Sequence, residues 1–209
     1  MDEARATAGI IAAGRRLGAR GLISAGEGNL SIRLDADRLL MTPGGARKDE
    51  LEARDLPVVR IGHAERDARS PSGRGPSSDL AIHLAVYAAR PDIGAVAHAH
   101  LPAAMALTLA GELPDPAALP ETALLLPRLP FVAFGEMGST ELAGRIAAAL
   151  AQGPEPLSGV VLLERHGAVA VGPDIDTAVD RLELLELLCR TWRDALLLRG
   201  ARAGVDRSG

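Results

Sequence analysis

Two imidazoles stand one residue apart in Gly94-Ala95-Val96-Ala97-His98-Ala99-His100, a run of otherwise small apolar residues, in a chain of 209 residues with five histidines. Side chains alternate along an extended segment, so His98 and His100 project from one face with Cβ atoms roughly 6 to 7 Å apart, a span that one metal ion can bridge. A third imidazole, His166, sits in "ERHG" between two apolar runs. Three neutral imidazoles without thiolates describe a catalytic divalent-metal site with an open position better than a closed structural one. The competing reading makes His98 and His100 ordinary strand histidines. That reading leaves polar rings in a dry segment without partners, which is costly, and it weakens once His166 is counted.

Other residues of chemical interest are weaker signals. Three Gly/Ser-rich spots, "GEGN" (26 to 29), "PGG" (43 to 45) and "PSSD" (76 to 79), could turn backbone amides toward an anion. Each alone reads as a plain turn, and only their convergence would make a phosphate site. Asp79 is a helix N-cap on local sequence alone, or a carboxylate aimed at metal and substrate. His83, one helical turn on, either hydrogen-bonds to Asp79 or faces the core, and the core is the simpler choice. His63 lies in a polar stretch and is expected to be exposed. Cys189 and Trp192 read as packing residues on a long helix. The single lysine, Lys48, lies in "GARKDEL", a polar, loop-like setting that gives no reason for a depressed pKa, which argues against Schiff-base chemistry.

The elements that must hold these residues follow from periodicity. Helical spacing runs over residues 2 to 20, then "GLISAGEGNLSIRL" switches to alternation, with Leu30, Ile32 and Leu34 on one strand face and 38 to 42 as the partner strand. Residues 66 to 79 read as a loop. A helix starts at Ser78 or Asp79 and stops before Pro91; "IGAVAHAH" is a strand; 102 to 111 is a short helix opened by proline and closed by glycine. "LLLPRLPFVAF" is extended, and "GSTELAGRIAAALAQG" is helical with Ser139 among its capping residues. "GVVLLERHGAVAVG" forms two β runs around a tight turn, and a long amphipathic helix follows. Strands and helices mix without a regular βαβα rhythm, so helices are expected to cover a mostly antiparallel sheet.

Composition sets the outer bounds. An apolar content of 47% and the length fit one globular domain over residues 1–209, with about 196–209 a flexible tail. A net charge of −4 and the lack of a basic run argue against a nucleic-acid partner. One cysteine excludes an internal disulfide, and no apolar run is long enough to cross a bilayer, so a cytoplasmic protein without a membrane partner is expected.

Taken in order, "GNLSIR", "MTPGG", "PSSD…H", "AVAHAH", "GSTEL" and "LLERHGAVAVG" resemble the class II aldolase/adducin family, which includes L-fuculose-1-phosphate aldolase and L-ribulose-5-phosphate 4-epimerase; the match runs from about residue 5 to 195. The resemblance implies an α/β fold, a three-layer α/β/α sandwich with a central, mainly antiparallel sheet, and a homotetramer. It implies that His98, His100 and His166 bind a divalent metal, Zn²⁺ or another such as Mn²⁺, and that Gly28, Asn29, Gly44, Gly45, Ser77 and Ser78 hold the phosphate of a small sugar-phosphate substrate. It makes Asp79 the catalytic acid/base, although the aldolases carry glutamate there. The epimerase-like "HADYF" segment is replaced by "LPETALLL" (119 to 126), and the catalytic tyrosines have no counterpart, since Tyr87 falls within a core helix. Glu121 is then a candidate proton donor, with a surface glutamate as the simpler alternative. The implied activity is retro-aldol cleavage of a ketose phosphate to dihydroxyacetone phosphate and an aldehyde. A 4-epimerase, a sugar-acid-phosphate decarboxylase and a non-catalytic adducin-like module are the alternatives.

Overall fold

Seven strands form one sheet in the order β3-β2-β1-β4-β7-β6-β5: β1 (Asn29–Arg33), β2 (Arg38–Met41), β3 (Val58–Arg60), β4 (Ala95–Ala99), β5 (Phe131–Val132), β6 (Val160–Leu163) and β7 (Gly167–Gly172). The computed structural model describes residues 1–61, 68–151 and 159–205, so His63 lies outside the described residues. All pairings are antiparallel except that of β5 with β6.

Alternation along the strands divides the core in two. Leu30, Ile32, Ala95, Ala97 and Ala99 face one layer, built from α1 (Glu3–Ala19), α3 (Pro102–Leu109) and α6 (Ile175–Val205). Leu39, Met41, Val96, Val161 and Val169 face the other, where α2 (Leu80–Ala89) and α5 (Thr140–Ala151) pack together. The result is the three-layer α/β/α sandwich. Each fully buried Ile or Leu on these faces contributes roughly 1.5–3 kcal/mol, which fixes the register because a one-residue slip would exchange the two faces. The alanines of β4 let α6 approach the sheet closely, while the opposite face of the same strand carries His98.

One sequence expectation needs correction. Leu124 and Leu125 belong to α4 (Pro120–Leu125), not to an extended run, because Pro120 at the first position and the acidic Glu121 favour a helical turn there. Past 196, α6 runs on to Val205 through alanines and arginines that favour the helix despite Gly200.

Candidate metal and phosphate site

His98 sits in the last turn of pairing on β4, and its Nδ1 donates to the carbonyl of Ala168 on β7 at 2.9 Å. That bond directs Nε2 away from the strand, where it is buried and has no hydrogen-bond partner. His100 follows the strand end, and its Nδ1 lies 3.0 Å from the Glu27 carboxylate. His166 comes from the turn between β6 and β7. That turn is held in an uncommon conformation: Arg165 has φ 57°, its N–H donates to Thr108 Oγ1, and its guanidinium stacks on Phe134. Gly167 has φ 89°, and a Cβ there would stand 2.1 Å from the Ala99 carbonyl, so only glycine lets the turn close against β4.

The three rings meet with centroids 4.8 to 5.0 Å apart, and one ligand atom from each lies within 4.8 Å of the others. Burial, followed by the proximity of His166 and His100, holds His98 well below its ordinary pKa, and burial also lowers that of His166. Neutral imidazoles offering lone pairs to one point are the donor set of a divalent cation, and the orphaned Nε2 of His98 is a cost that such an ion removes. Glu27 adds the carboxylate that commonly orients a metal-binding imidazole from behind.

Beside the cluster is a pocket of about 210 Å³ lined by Gly28, Asn29, Gly44, Gly45, Ser77, Ser78 and Asp79, with His100, His166, Gly26, Glu27 and Met137. The three separate Gly/Ser spots of the sequence therefore converge. Gly28 (φ 71°) must be glycine because a Cβ would meet the His98 carbonyl at 2.8 Å, which seats the first loop on β4. Asp79 occupies the N-cap position of α2, yet its side chain makes no capping bond there. It accepts instead from Asn29 Nδ2 at 2.8 Å, so the carboxylate faces the pocket rather than the helix. His83 is buried, as expected of a core residue, but it is also bonded to Asn29. Glu121 is exposed on α4 and is absent from the pocket wall. A larger groove of about 890 Å³ lies between α1 and α6; its carboxylates are paired, Asp180 and Glu183 with Arg16, and it holds no candidate metal cluster among the described residues.

Lys48 overturns the polar-loop expectation. It is 2% exposed, with its backbone pressed against Gly14 of α1 and Nζ donating to the carbonyls of Gly26 and Ala46 at 2.5 and 2.8 Å. It thereby ties the first two glycine loops together. Burial pulls its pKa down to about 8, against the opposing charges of Asp79 and Glu27. A folded-state value below the ordinary 10.5 means that the unfolded chain binds more protons between these limits, so this lysine's contribution to stability rises with pH across that window. Relative to Lys48→Met, the wild type should gain about 2–3 kcal/mol between pH 7 and pH 10 in urea unfolding; a flat difference would refute the buried cation.

The known proteins that this chain is similar to carry the same theme. The family model for the class II aldolase and adducin N-terminal domain matches residues 8–193. A methylthioribulose-1-phosphate dehydratase of Acidiphilium cryptum is 36% identical over 192 residues, covering 86% of this chain and 85% of that protein. A 5-methylthioribulose-1-phosphate/5-deoxyribulose-1-phosphate aldolase of Rhodospirillum rubrum is 34% identical over 187 residues, covering 88% and 79%. The L-fuculose-1-phosphate aldolase structure from Thermus thermophilus superposes with a TM-score of 0.79 at 30% identity, over 95% of this chain and 97% of that one. Members act on small sugar phosphates and depend on a divalent metal, and no helix among the described residues is long and apolar enough to cross a membrane. The chain belongs to the class II aldolase and adducin N-terminal domain family.

Proposed function

We propose that the protein is a zinc-dependent lyase that cleaves a small ketose 1-phosphate between C3 and C4, releasing dihydroxyacetone phosphate and an aldehyde. The observation that carries this reading is the convergence of three imidazoles, a Gly/Ser cradle and a non-capping carboxylate around one pocket. His98, His100 and His166 hold the metal, which when bound supplies Lewis-acid polarisation of the C2 carbonyl and the neighbouring hydroxyl. Gly28, Asn29, Gly44, Gly45, Ser77 and Ser78 hold the phosphate, with Lys48 fixing the spacing of the first two loops. Asp79 takes the proton of the C4 hydroxyl as the C3–C4 electron pair passes to C3, and returns a proton to C3 when the enediolate collapses. The carboxylate ends the cycle as it began. The assembly is a homotetramer in the cytoplasm, and single-chain exposure of Phe134 and Met137 supports burial by another copy.

Dehydration is the second reading, favoured by the similarity to the Acidiphilium dehydratase. There Asp79 would take the C3 proton and pass it to the C4 hydroxyl, which would leave as water, and the C3 enol so formed would tautomerise to the diketone. One assay separates the readings: metal-loaded protein is incubated with L-fuculose 1-phosphate, 5-deoxyribulose 1-phosphate, 5-methylthioribulose 1-phosphate and 3-oxo-tetronate 4-phosphate, and products are followed by NMR. Triose phosphate is the expected product. A diketone phosphate replaces the lyase by the dehydratase, an epimeric sugar phosphate by the epimerase, and carbon dioxide released from a 3-keto acid phosphate by the decarboxylase. No turnover together with zinc well below one equivalent in the purified protein overturns the enzyme reading.

A further inference from the structure

Asp79 is the pocket end of a run of buried polar groups that crosses β1 into the layer under α2. Tyr87 Oη lies 2.9 Å from Ser31 Oγ, Ser31 Oγ 2.6 Å from His83 Nδ1, His83 Nε2 2.5 Å from Asn29 Oδ1, and Asn29 Nδ2 2.8 Å from Asp79 Oδ2. Tyr87, Ser31, His83 and Asn29 are all at most 3% exposed, so water does not supply missing partners.

Hydrogen-bond chemistry gives these four contacts one direction. A carboxylate at Asp79 only accepts, so Asn29 turns its NH₂ to Asp79 and its carbonyl to His83. His83 must then carry its proton on Nε2. Burial holds this imidazole neutral, with a pKa near 3, so Nδ1 is bare and accepts from the Ser31 hydroxyl. The Ser31 oxygen in turn accepts from Tyr87 O–H. Every donor has one acceptor, and reversing any single bond would set two donors or two bare acceptors face to face in a dry interior, where an unsatisfied polar group is costly.

We propose that His83 is a positioning residue for the reaction: locked as the neutral Nε2–H tautomer by Ser31 and Tyr87, it fixes the Asn29 amide in the orientation that aims the Asp79 carboxylate into the pocket. Around His83 the charged or titratable groups are Asp79, reached through Asn29, Tyr87, reached through Ser31, with Arg33 over the Tyr87 ring, and His98, which stands opposite Asn29 in the β1–β4 register. The role rests on Asp79 as the group that moves the proton, but the tautomer does not.

The tautomer is measured directly on nitrogen-15-labelled, metal-free protein by long-range proton–nitrogen correlation at neutral pH. A protonated Nε2 with a bare Nδ1 is expected; an Nδ1–H tautomer, a mixture, or an imidazolium overturns the proposal. Two variants then separate positioning from packing. His83→Gln can still donate to Asn29 and accept from Ser31, whereas His83→Phe fills the space and does neither. With zinc-loaded protein, His83→Phe should lose about 10²-fold in kcat with KM and zinc affinity little changed, and His83→Gln should recover most of it. Equal kcat in the two variants overturns the positioning role, and if His83→Phe does not fold, the tautomer and the kcat of His83→Gln decide. An Asp79→Asn variant with full turnover would defeat the catalytic reading of Asp79 while leaving the tautomer result standing, so the two failures are distinguishable.

Discussion

Replacing His98 by alanine should weaken zinc binding by about 10³-fold and remove the thermal stabilisation that zinc gives the wild type. His98 has the most constrained of the three rings. Its Nδ1 is tied to the Ala168 carbonyl across a continuous β4–β7 ladder, so Nε2 has one place to point, and no group among the described residues hydrogen-bonds to it there. Zinc binding at pH 7 is worth about 10–16 kcal/mol in small structural sites, so one ligand of three or four carries about 3–4 kcal/mol, or two to three decades. Chelator competition gives the affinity, and thermal unfolding with and without zinc gives the linked stabilisation. The metal-free variant should keep a stability close to that of the metal-free wild type, because removing an unsatisfied buried nitrogen offsets part of the lost packing. Wild-type zinc affinity in His98→Ala would remove this histidine from the ligand set.

Asp79→Asn should separate chemistry from metal binding. Asp79 lies outside the three-histidine cluster and contacts the fold through Asn29, a bond that an asparagine carbonyl at position 79 can still accept. Shape, zinc content and melting temperature should therefore hold. The amide cannot take a proton from a hydroxyl, and loss of a positioned acid/base typically costs about 10²–10⁴ in rate. Rapid quench of the zinc-loaded variant against the wild type, with zinc quantified on the same samples, makes the comparison. Undiminished turnover would leave Asp79 with only its position at the start of α2.

The parts of this site that could be read from sequence are those where a local pattern coincides with a long-range one. Alternation alone places His98 and His100 opposite Ala97 and Ala99, and the two cores divide along that line. The glycines of two of the three loops could be recognised as turns because φ 71° at Gly28 and φ 67° at Gly45 exclude most other residues. What could not be read is the partner of each polar group. Asp79 at a helix start looks like a cap until β1 delivers Asn29 from fifty residues earlier. His83 has core spacing on α2, and only the β1 register brings Ser31 and Asn29 to its two nitrogens. Glu27 is hidden between two glycines, and Lys48 among charges; its burial depends on Gly14 letting α1 descend on it. Glycine-flanked acids and a single lysine in an arginine-rich chain were the available signals.

The sheet order has a consequence for how this protein breathes. β4 is the middle strand of seven among the described residues, with β1 and β7 bonded along its two edges, and it carries His98 while His100 follows at its end. Amide protons in such a strand exchange only when the whole domain opens, whereas the turn at 26–28 lies outside any strand. Zinc would then arrive at a finished scaffold instead of driving its folding, and amide exchange along β4 should be equally slow with and without the ion. Substrate preference can drift through changes in the surface turns while His98 remains on the central strand of the sheet.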